Sequence, residues 1–332
     1  MTNQTAKRVT LGRSEAELER LGGLWTAREI AQQPAMLRKT QERLTAQKDS
    51  VEGFLGSLLD HPATRVILTG AGTSSFIGEC LAPYLAARLS RRVEAIATTD
   101  LVCAPYLYFA ADAPTLLVSF GRSGNSPESV AAVDLANGLV RDVHHLAITC
   151  NPDGALARAV EQSGRGMTLL LPEETHDRSF AMTSSFSCMT YASLASLPGI
   201  VSAGSRVGRM AQAVESVIST QAGPMKKLAA RDFERVVYLG SHIFKGLAHE
   251  AALKLLELSD GGILAAYESP MGFRHGPKTI VNDRTLVAIF LSNHPYTRRY
   301  DVDLLQEIRR EGNAGGLLPL PVLYGERAGV RG

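Results

Sequence analysis

The sequence predicts an α/β protein with two tandem, doubly wound parallel-sheet units and an N-terminal helical arm. Short apolar runs alternate with helix-forming segments along most of the chain, a pattern typical of parallel sheets with crossover helices. The strand-like residues 65–70 and 115–120 return 170 positions later as residues 235–240 and 285–290. Because both strands share one offset, we predict that the chain contains two copies of one unit.

Residues 1–50 are predicted to form the helical arm. Ser14 and Thr26 are each followed three residues later by a glutamate, which is the spacing of a capping box at a helix N-terminus. Helical periodicity follows, first as far as residue 30 and then from Pro34 onward. We expect the arm to cover the main body of the protein; an interaction or dimer arm is the alternative.

Residues 51–222 are predicted to form the first unit and residues 223–332 the second. A helix-rich stretch over residues 183–222 closes the first unit. Residues 93–98 of the first unit correspond to residues 263–268 of the second. The predicted strands of the first unit are residues 65–70, 93–98, 115–120, 143–149 and 167–171.

Composition excludes several classes of protein. The 332 residues are 45% hydrophobic and 20% charged, with a net charge of +2 and no basic block, so we predict no nucleic-acid partner. The four cysteines lie far apart without a CxxC pair, which argues against a metal cluster or a disulfide framework and favours a cytoplasmic protein. No apolar run reaches membrane-spanning length, so we predict no membrane partner.

The strongest local signal lies after the third predicted strand, at residues 121–126. Ser126 and Pro127 suit the N-cap and first position of a helix. A Gly- and Ser-rich turn leading into a helix N-terminus offers backbone N–H groups to an anion, and Arg122 adds a cation. The alternative, on this stretch alone, is an ordinary strand-to-helix loop.

A second loop, residues 70–75, begins like a dinucleotide fingerprint. Ser75 stands where the third glycine belongs, and no ribose-binding acid follows at a suitable distance. We therefore predict no nicotinamide or flavin cofactor. In a sheet ordered 2-1-3-4-5, the loops after strands one and three flank the ligand-binding switch point. Ser74, Ser123 and Ser126 are then expected to converge on one phosphate.

Two acid/base candidates lie in the second unit. Glu257 sits among leucines near the end of a helical pattern, where a carboxylate could act as a base; the alternative is that it points into water. Earlier in that helix, Glu250 and Lys254 are spaced as a solvated surface pair. His275 lies in a loop punctuated by Pro and Gly and is a candidate acid/base, with an ordinary loop histidine as the alternative.

Four motifs together resemble the sugar isomerase (SIS) domain proteins, whose units are flavodoxin-like: Gly-Thr-Ser at 72–74, Arg-Ser-Gly-Asn-Ser at 122–126, Ala-Leu-Lys-Leu-Leu-Glu at 252–257 and Arg-His-Gly-Pro at 274–277. The chain is more distantly similar to the isomerase half of glucosamine-6-phosphate synthase. Residues 268–278 and 292–298 are similar to the tagatose-6-phosphate ketose/aldose isomerase group, which are galactosamine-6-phosphate deaminases.

The resemblance implies an enzyme that isomerises and deaminates a hexosamine 6-phosphate, converting galactosamine 6-phosphate to tagatose 6-phosphate and ammonia. It implies no metal and no organic cofactor, because the substrate's own nitrogen allows the electron shift. Two alternatives stay open. One is a regulatory protein that binds a sugar phosphate on the same fold, and the other is a plain aldose–ketose isomerase that does not release ammonia.

The resemblance also implies roles for individual residues. Glu257 matches the base that moves a proton between C1 and C2. His275 matches the ring-opening histidine, which in the synthase comes from a neighbouring subunit, so we expect a homodimer or a higher homo-oligomer. The substrate phosphate is assigned to Ser74, Arg122, Ser123 and Ser126, and further substrate contacts to Thr73, Gly121 and Thr183.

The chain departs from the synthase in two places. Gly121 and Arg122 stand where the synthase loop has serine and glutamine, so the phosphate contacts must differ. The synthase also has a catalytic lysine in its C-terminal tail, for which the Gly- and Pro-rich stretch after Gly312 offers no counterpart. We therefore expect the second domain to be truncated at its C-terminus, with an altered reading frame as the alternative; either bears on stability and activity.

Overall fold

Two parallel sheets, of five and four strands, form the centres of the two units into which the chain divides, Met1–Gly223 and Pro224–Gly332. The computed structural model describes residues 9–198 and 200–321. The two sheets and the helices beside them confirm the predicted α/β class with tandem units. The assignment of residues 1–50, 51–222 and 223–332 to separate domains stays a prediction.

The N-terminal region is helical, as predicted, after a short antiparallel pair of strands. Ser14 caps the first helix by accepting a hydrogen bond from the backbone N–H of Glu17, which confirms the first capping box. The second capping box is wrong, because Thr26 lies inside a helix that begins two residues earlier. The elements are β1 (Val9–Thr10), β2 (Arg13–Ser14), α1 (Glu15–Arg20), α2 (Leu24–Ala46) and α3 (Lys48–Asp60).

The first sheet has the predicted 2-1-3-4-5 order, β4-β3-β5-β6-β7. Every residue of β3 and β5 is buried. This explains why both strands read as continuous apolar runs, since helices cover both faces of a parallel sheet. The strands are β3 (Arg65–Thr69), β4 (Val93–Ala95), β5 (Thr115–Gly121), β6 (Val143–Thr149) and β7 (Gly166–Leu170).

The second predicted strand, residues 93–98, is shorter in the structure. The backbone N–H of Thr98 donates to the carbonyl of Gly70, and Thr98 begins a helix. The helix-rich stretch from residue 183 is confirmed as two helices, the second of which continues to residue 229. The helices are α4 (Thr73–Leu89), α5 (Thr98–Cys103), α6 (Pro105–Tyr108), α7 (Pro127–Leu139), α8 (Ala155–Gln162), α9 (Ser184–Ser196) and α10 (Ile200–Ala229).

The second sheet has the order β11-β10-β8-β9, which is the arrangement of the first four strands of the first sheet. Strand β11 follows Gly312; residues 322–332 lie outside the described residues, and the expected truncation stays a prediction. The elements are β8 (Arg235–Gly240), α11 (Ile243–Leu258), β9 (Leu264–Glu268), α12 (Pro270–Phe273), β10 (Thr285–Leu291), α13 (Pro295–Glu311) and β11 (Gly316–Pro321).

Strand register confirms the duplication and corrects one part of it. Arg65 pairs with Thr115 in the first sheet, and Arg235 pairs with Thr285 in the second, so the offset of 170 holds for both strands. The second strands do not keep that offset. Val66 pairs with Val93, whereas Val236 pairs with Ala265, a shift of two residues from the predicted correspondence.

Candidate active site

The loops predicted to bind phosphate leave the same edge of the first sheet. Thr69 and Ser119 are register partners near the carboxyl ends of β3 and β5. The loop at residues 70–72 leads from β3 into α4, and the loop at residues 122–126 leads from β5 into α7. Two helix N-termini therefore begin beside neighbouring strands, which is the geometry of the switch point in a doubly wound sheet.

Two glycines shape the first loop. A Cβ on Gly70 would lie 2.6 Å from the carbonyl carbon of Ser74, so no larger residue fits this close turn. Gly72 has a φ of +56°, which glycine adopts without steric cost. As a result α4 starts immediately after the strand, and Thr73 and Ser74 are buried in its first turn.

The second loop is held by residues at and just after the end of the neighbouring strand, β6. A Cβ on Gly121 would lie 3.2 Å from the Cα of Gly124, and Gly124 has a φ of +62° with Thr149 close by. The Nδ2 of Asn151 donates a 2.8 Å hydrogen bond to the carbonyl of Ser123. Gly121 therefore permits the tight loop, and its contact with substrate stays a prediction.

Ser126 and Arg122 already have partners within the protein. The Oγ of Ser126 accepts a hydrogen bond from the backbone N–H of Ser129, which confirms the predicted N-cap of α7. The Nη1 of Arg122 donates a 2.9 Å hydrogen bond to the carbonyl of Ser179. Arg122 is thus attached to residues 177–183, a segment we call the strap.

The C-terminal end of the strap is fixed by a buried carboxylate that sequence reasoning missed. Asp177 accepts hydrogen bonds from the backbone N–H groups of Thr183, Ser184 and Ser185 and from the hydroxyls of the two serines. These bonds satisfy the N-terminus of α9. Thr183, predicted to contact the sugar, is the N-cap residue of that helix. The aspartate six residues before a Thr-Ser-Ser helix start was the available signal.

The other side of the strap is held by Glu29 of α2, which sequence reasoning also missed. Its Oε1 accepts hydrogen bonds of 2.6 Å and 3.0 Å from the backbone N–H groups of Arg178 and Ser179. Burial raises the pKa of the Glu29 carboxyl above its ordinary value. The Ser179 N–H and the Arg122 charge act in the opposite direction on that pKa, and Asp177 adds to the increase.

In the second unit, the candidate base belongs to an ionic cluster on α11. The Nζ of Lys254 lies 2.5 Å from the Oε2 of Glu257 and 3.4 Å from the Oε1 of Glu250. The predicted solvated pair is wrong, because α11 packs on β8 and β9 with Glu250 on its buried face. Lys254 therefore contacts the candidate base, whereas the sequence analysis assigned it to the surface.

His275 is exposed, and the loop around it is fixed to α13 by ion pairs on both sides. The Nη2 of Arg274 lies 2.7 Å from Asp303 and 2.9 Å from Glu307. Lys278 pairs with Glu307 and with a second glutamate one turn further along the same helix. The histidine is thus presented on an anchored loop.

Within residues 9–198 and 200–321, no group of three or more His, Cys, Asp or Glu side chains is placed to hold a metal ion. Over the same ranges, no helix has the length and apolar character needed to span a membrane.

The known proteins to which this chain is similar agree with one another. Residues 61–197 match the family described as SIS domain. The D-galactosamine-6-phosphate deaminase AgaS of Shewanella sp. (strain ANA-3) is 46% identical over 310 residues, which cover 92% of this chain and 79% of that protein. The Escherichia coli protein of the same name is 46% identical over 293 residues, covering 88% of this chain and 76% of its own length.

A solved structure is also similar over nearly the whole chain. The crystal structure of tagatose-6-phosphate ketose/aldose isomerase from Escherichia coli superposes with a TM-score of 0.82 and 42% sequence identity. The match covers 93% of this chain and 87% of that one. The fold is therefore shared with that structure along most of the chain.

Proposed function

The chain belongs to the SIS domain family, within the group of its AgaS relatives, and we propose that it converts galactosamine 6-phosphate and water to tagatose 6-phosphate and ammonia. The observation that carries this proposal is the 46% identity, across 92% of the chain, to a relative named as that deaminase. The phosphate-type loop and the Lys254–Glu257 pair give the chain groups suited to such a reaction.

The first unit holds the substrate phosphate in this proposal. Arg122 is the main anchor, because a planar guanidinium can donate to the Ser179 carbonyl and to a phosphate at once. The N-termini of α4 and α7 add backbone N–H groups and the positive ends of their dipoles. The remaining phosphate contacts are Ser74, Ser123 and Ser126, with Thr73, Gly121 and Thr183 as further substrate contacts.

Glu257 and His275 carry out the proton transfers in this proposal. His275 opens the sugar ring by moving a proton between O5 and O1. The free C1 aldehyde then acidifies the hydrogen on C2, and the Glu257 carboxylate, oriented by Lys254, removes that proton to leave an enolamine. Glu257 returns the proton to C1, and a proton of the amino nitrogen passes to O1, which gives the ketimine at C2 and a hydroxyl at C1. Water adds to that carbon, and ammonia leaves as the C2 carbonyl of the ketose forms.

We further propose that the protein is a homodimer or a higher homo-oligomer in which His275 acts across the subunit interface. The exposure of His275 supports this role, because an exposed side chain can reach a neighbouring subunit. The ion pairs of Arg274 and Lys278 with α13 support it as well, since they fix the loop that would have to reach there.

The test is a panel of substrates with two readouts, ammonia release and formation of the ketose phosphate. We expect galactosamine 6-phosphate to yield equal amounts of ammonia and tagatose 6-phosphate. Interconversion of neutral hexose phosphates without ammonia from any hexosamine phosphate would instead identify a plain isomerase. Thermal stabilisation by a sugar phosphate without turnover of any compound would identify a regulatory protein.

A further inference from the structure

The strap, residues 177–183, lies between the N-terminal helix α2 and the phosphate-type loop of the first unit. Glu29 of α2 binds the strap through the backbone N–H groups of Arg178 and Ser179. Arg122 of the loop binds it through the carbonyl of Ser179. One strap residue, Ser179, therefore receives contacts from both α2 and the loop.

A second contact from α2 fixes the same residue. The Oγ1 of Thr26 lies 2.6 Å from the Oγ of Ser179, so the N–H and the side chain of Ser179 are both bound by α2. These two bonds restrain the backbone of Ser179 and with it the direction of its carbonyl. That direction decides where the guanidinium of Arg122 can donate its hydrogen bond.

Glu29 is chemically unusual for a residue that only packs. Glu29 is 4% exposed, and burying a carboxylate is costly unless it is paired or hydrogen-bonded. A charged acceptor makes stronger bonds to backbone N–H groups than a neutral one. Within the described part of the chain its Oε2 has no hydrogen-bond partner, so the bonds to the strap are the contacts that the buried carboxylate makes.

We propose that Glu29 is a positioning residue for phosphate binding, which acts through Ser179 of the strap to hold the Arg122 guanidinium towards the substrate phosphate. Glu29 does not touch the substrate itself. The inference rests on the proposed function in one respect, the role of Arg122 as the phosphate anchor. It makes the N-terminal arm part of the binding site rather than only a cover for the main body.

The experiment measures the affinity of the full-length protein for inorganic phosphate by isothermal titration calorimetry. The variants are Glu29→Leu, which removes the acceptor, Arg122→Met, which removes the anchor, and the double variant. The matched control is Gln41→Leu on the same helix, whose Oε1 accepts a hydrogen bond from Tyr191 of α9. At 1.5 Å per residue, Gln41 lies about 18 Å along α2 from Glu29.

We expect Glu29→Leu to weaken phosphate binding about tenfold, while Gln41→Leu stays within twofold of the wild type. Arg122→Met is expected to weaken binding by at least tenfold, and adding Glu29→Leu to it should cause no further loss, because the two residues act through one contact. With galactosamine 6-phosphate, Glu29→Leu should raise KM and leave kcat within twofold. A merely structural role would not produce this dependence on Arg122.

Wild-type phosphate affinity in Glu29→Leu would overturn the proposal, and so would an equal loss in the presence and absence of Arg122. If Glu29→Leu does not fold, Glu29→Asp withdraws the carboxylate by one methylene and keeps its charge. The same dependence on Arg122 is expected there, and wild-type affinity in that variant would overturn the proposal.

The same titration separates this inference from the proposed function. Inorganic phosphate probes the loop whether or not the protein deaminates a sugar. If Arg122→Met bound phosphate like the wild type, the phosphate anchor of the proposed function would be wrong. If Arg122→Met lost affinity while Glu29→Leu did not, only the role of Glu29 would be wrong.

Discussion

The two units use one turn geometry with different side chains. A Cβ on Gly70 or on Gly240 would lie 2.6 Å or 2.2 Å from a carbonyl atom of the helix residue four positions later. The residue before each helix also has nearly the same conformation, with a φ of +56° at Gly72 and +53° at His242. The first unit places Thr-Ser at the start of its helix and the second places Ile-Phe. The backbone of the turn is retained, while the hydroxyls proposed to bind an anion are not.

The units differ more after their third strands. In the second unit, the buried Asp301 of α13 accepts hydrogen bonds from the backbone N–H of Ser292 and the hydroxyl of Ser241. Ser292 occupies the position that Arg122 has in the first unit, at the offset of 170. Asp301 is the seventh residue of its helix, and the seventh residue of α7 is Val133. The second unit thus binds its loop with an internal anion, whereas the loop of the first unit carries a cation.

The largest expected effect comes from removing Glu257, the proposed base in the second unit. Glu257→Gln should lower kcat with galactosamine 6-phosphate about a thousandfold, within the range for loss of a general base, and leave KM unchanged. Glu234→Gln, which alters an exposed glutamate paired with Arg284, is the control and should stay within twofold of the wild type. Both are measured by steady-state ammonia release. Wild-type turnover in Glu257→Gln would show that Glu257 is not the base.

The internal anion of the second unit should matter for stability. Asp301→Ala leaves the Ser292 N–H and the Ser241 hydroxyl without their acceptor, so we expect the free energy of unfolding to fall by about 3 kcal/mol. Asp303→Ala, on the same helix but in an exposed ion pair with Arg274, should cost about 0.5 kcal/mol. Urea denaturation compares the two variants. Equal losses would show that Asp301 does not hold the two loops.

Acid should weaken the first unit through a buried histidine that the second lacks. Burial lowers the pKa of His145 to about 4, with the charge of His144 adding to the effect, and Leu317 stands at the equivalent register position of the second sheet. Between pH 6.5 and 4 the unfolded chain binds a proton that the folded chain does not, so stability falls as the pH falls. From pH 7 to pH 5 we expect a loss of about 2 kcal/mol from this group.

Urea denaturation at pH 7 and pH 5 measures that loss. His145→Gln should lower stability at pH 7 but flatten the dependence on pH, because the titrating group is gone. The same pH dependence in the variant and the wild type would assign the acid sensitivity to other groups.

Local patterns were sufficient for much of the fold. The strands at residues 65, 115, 143, 235 and 285 are buried runs bounded by turn residues, and their paired offsets reveal the duplication before any contact is known. Ser126 was predictable for the same reason, since a cap depends on its immediate neighbours. The shift between β4 and β9 was not, because register depends on the partner strand.

The sequence predicted only part of the candidate site. Glu250 and Lys254 have the same i,i+4 spacing whether their helix face is exposed or buried, and packing on β8 and β9 decides which it is. Glu29 meets Arg178 and Ser179 across about 150 positions of sequence. A local sequence pattern cannot indicate a contact between residues so far apart. Only the fold shows that Glu29 lies beside the phosphate-type loop.

The central claim is that the loop of the first unit that carries Arg122 anchors the phosphate, and that the equivalent loop of the second unit does not. Titration of inorganic phosphate into Arg122→Met and Ser292→Ala tests it directly, because these residues occupy equivalent positions in the two copies. The account predicts at least tenfold weaker binding in Arg122→Met and a change within twofold in Ser292→Ala. Unchanged binding in Arg122→Met, or an equal loss in both variants, would contradict it.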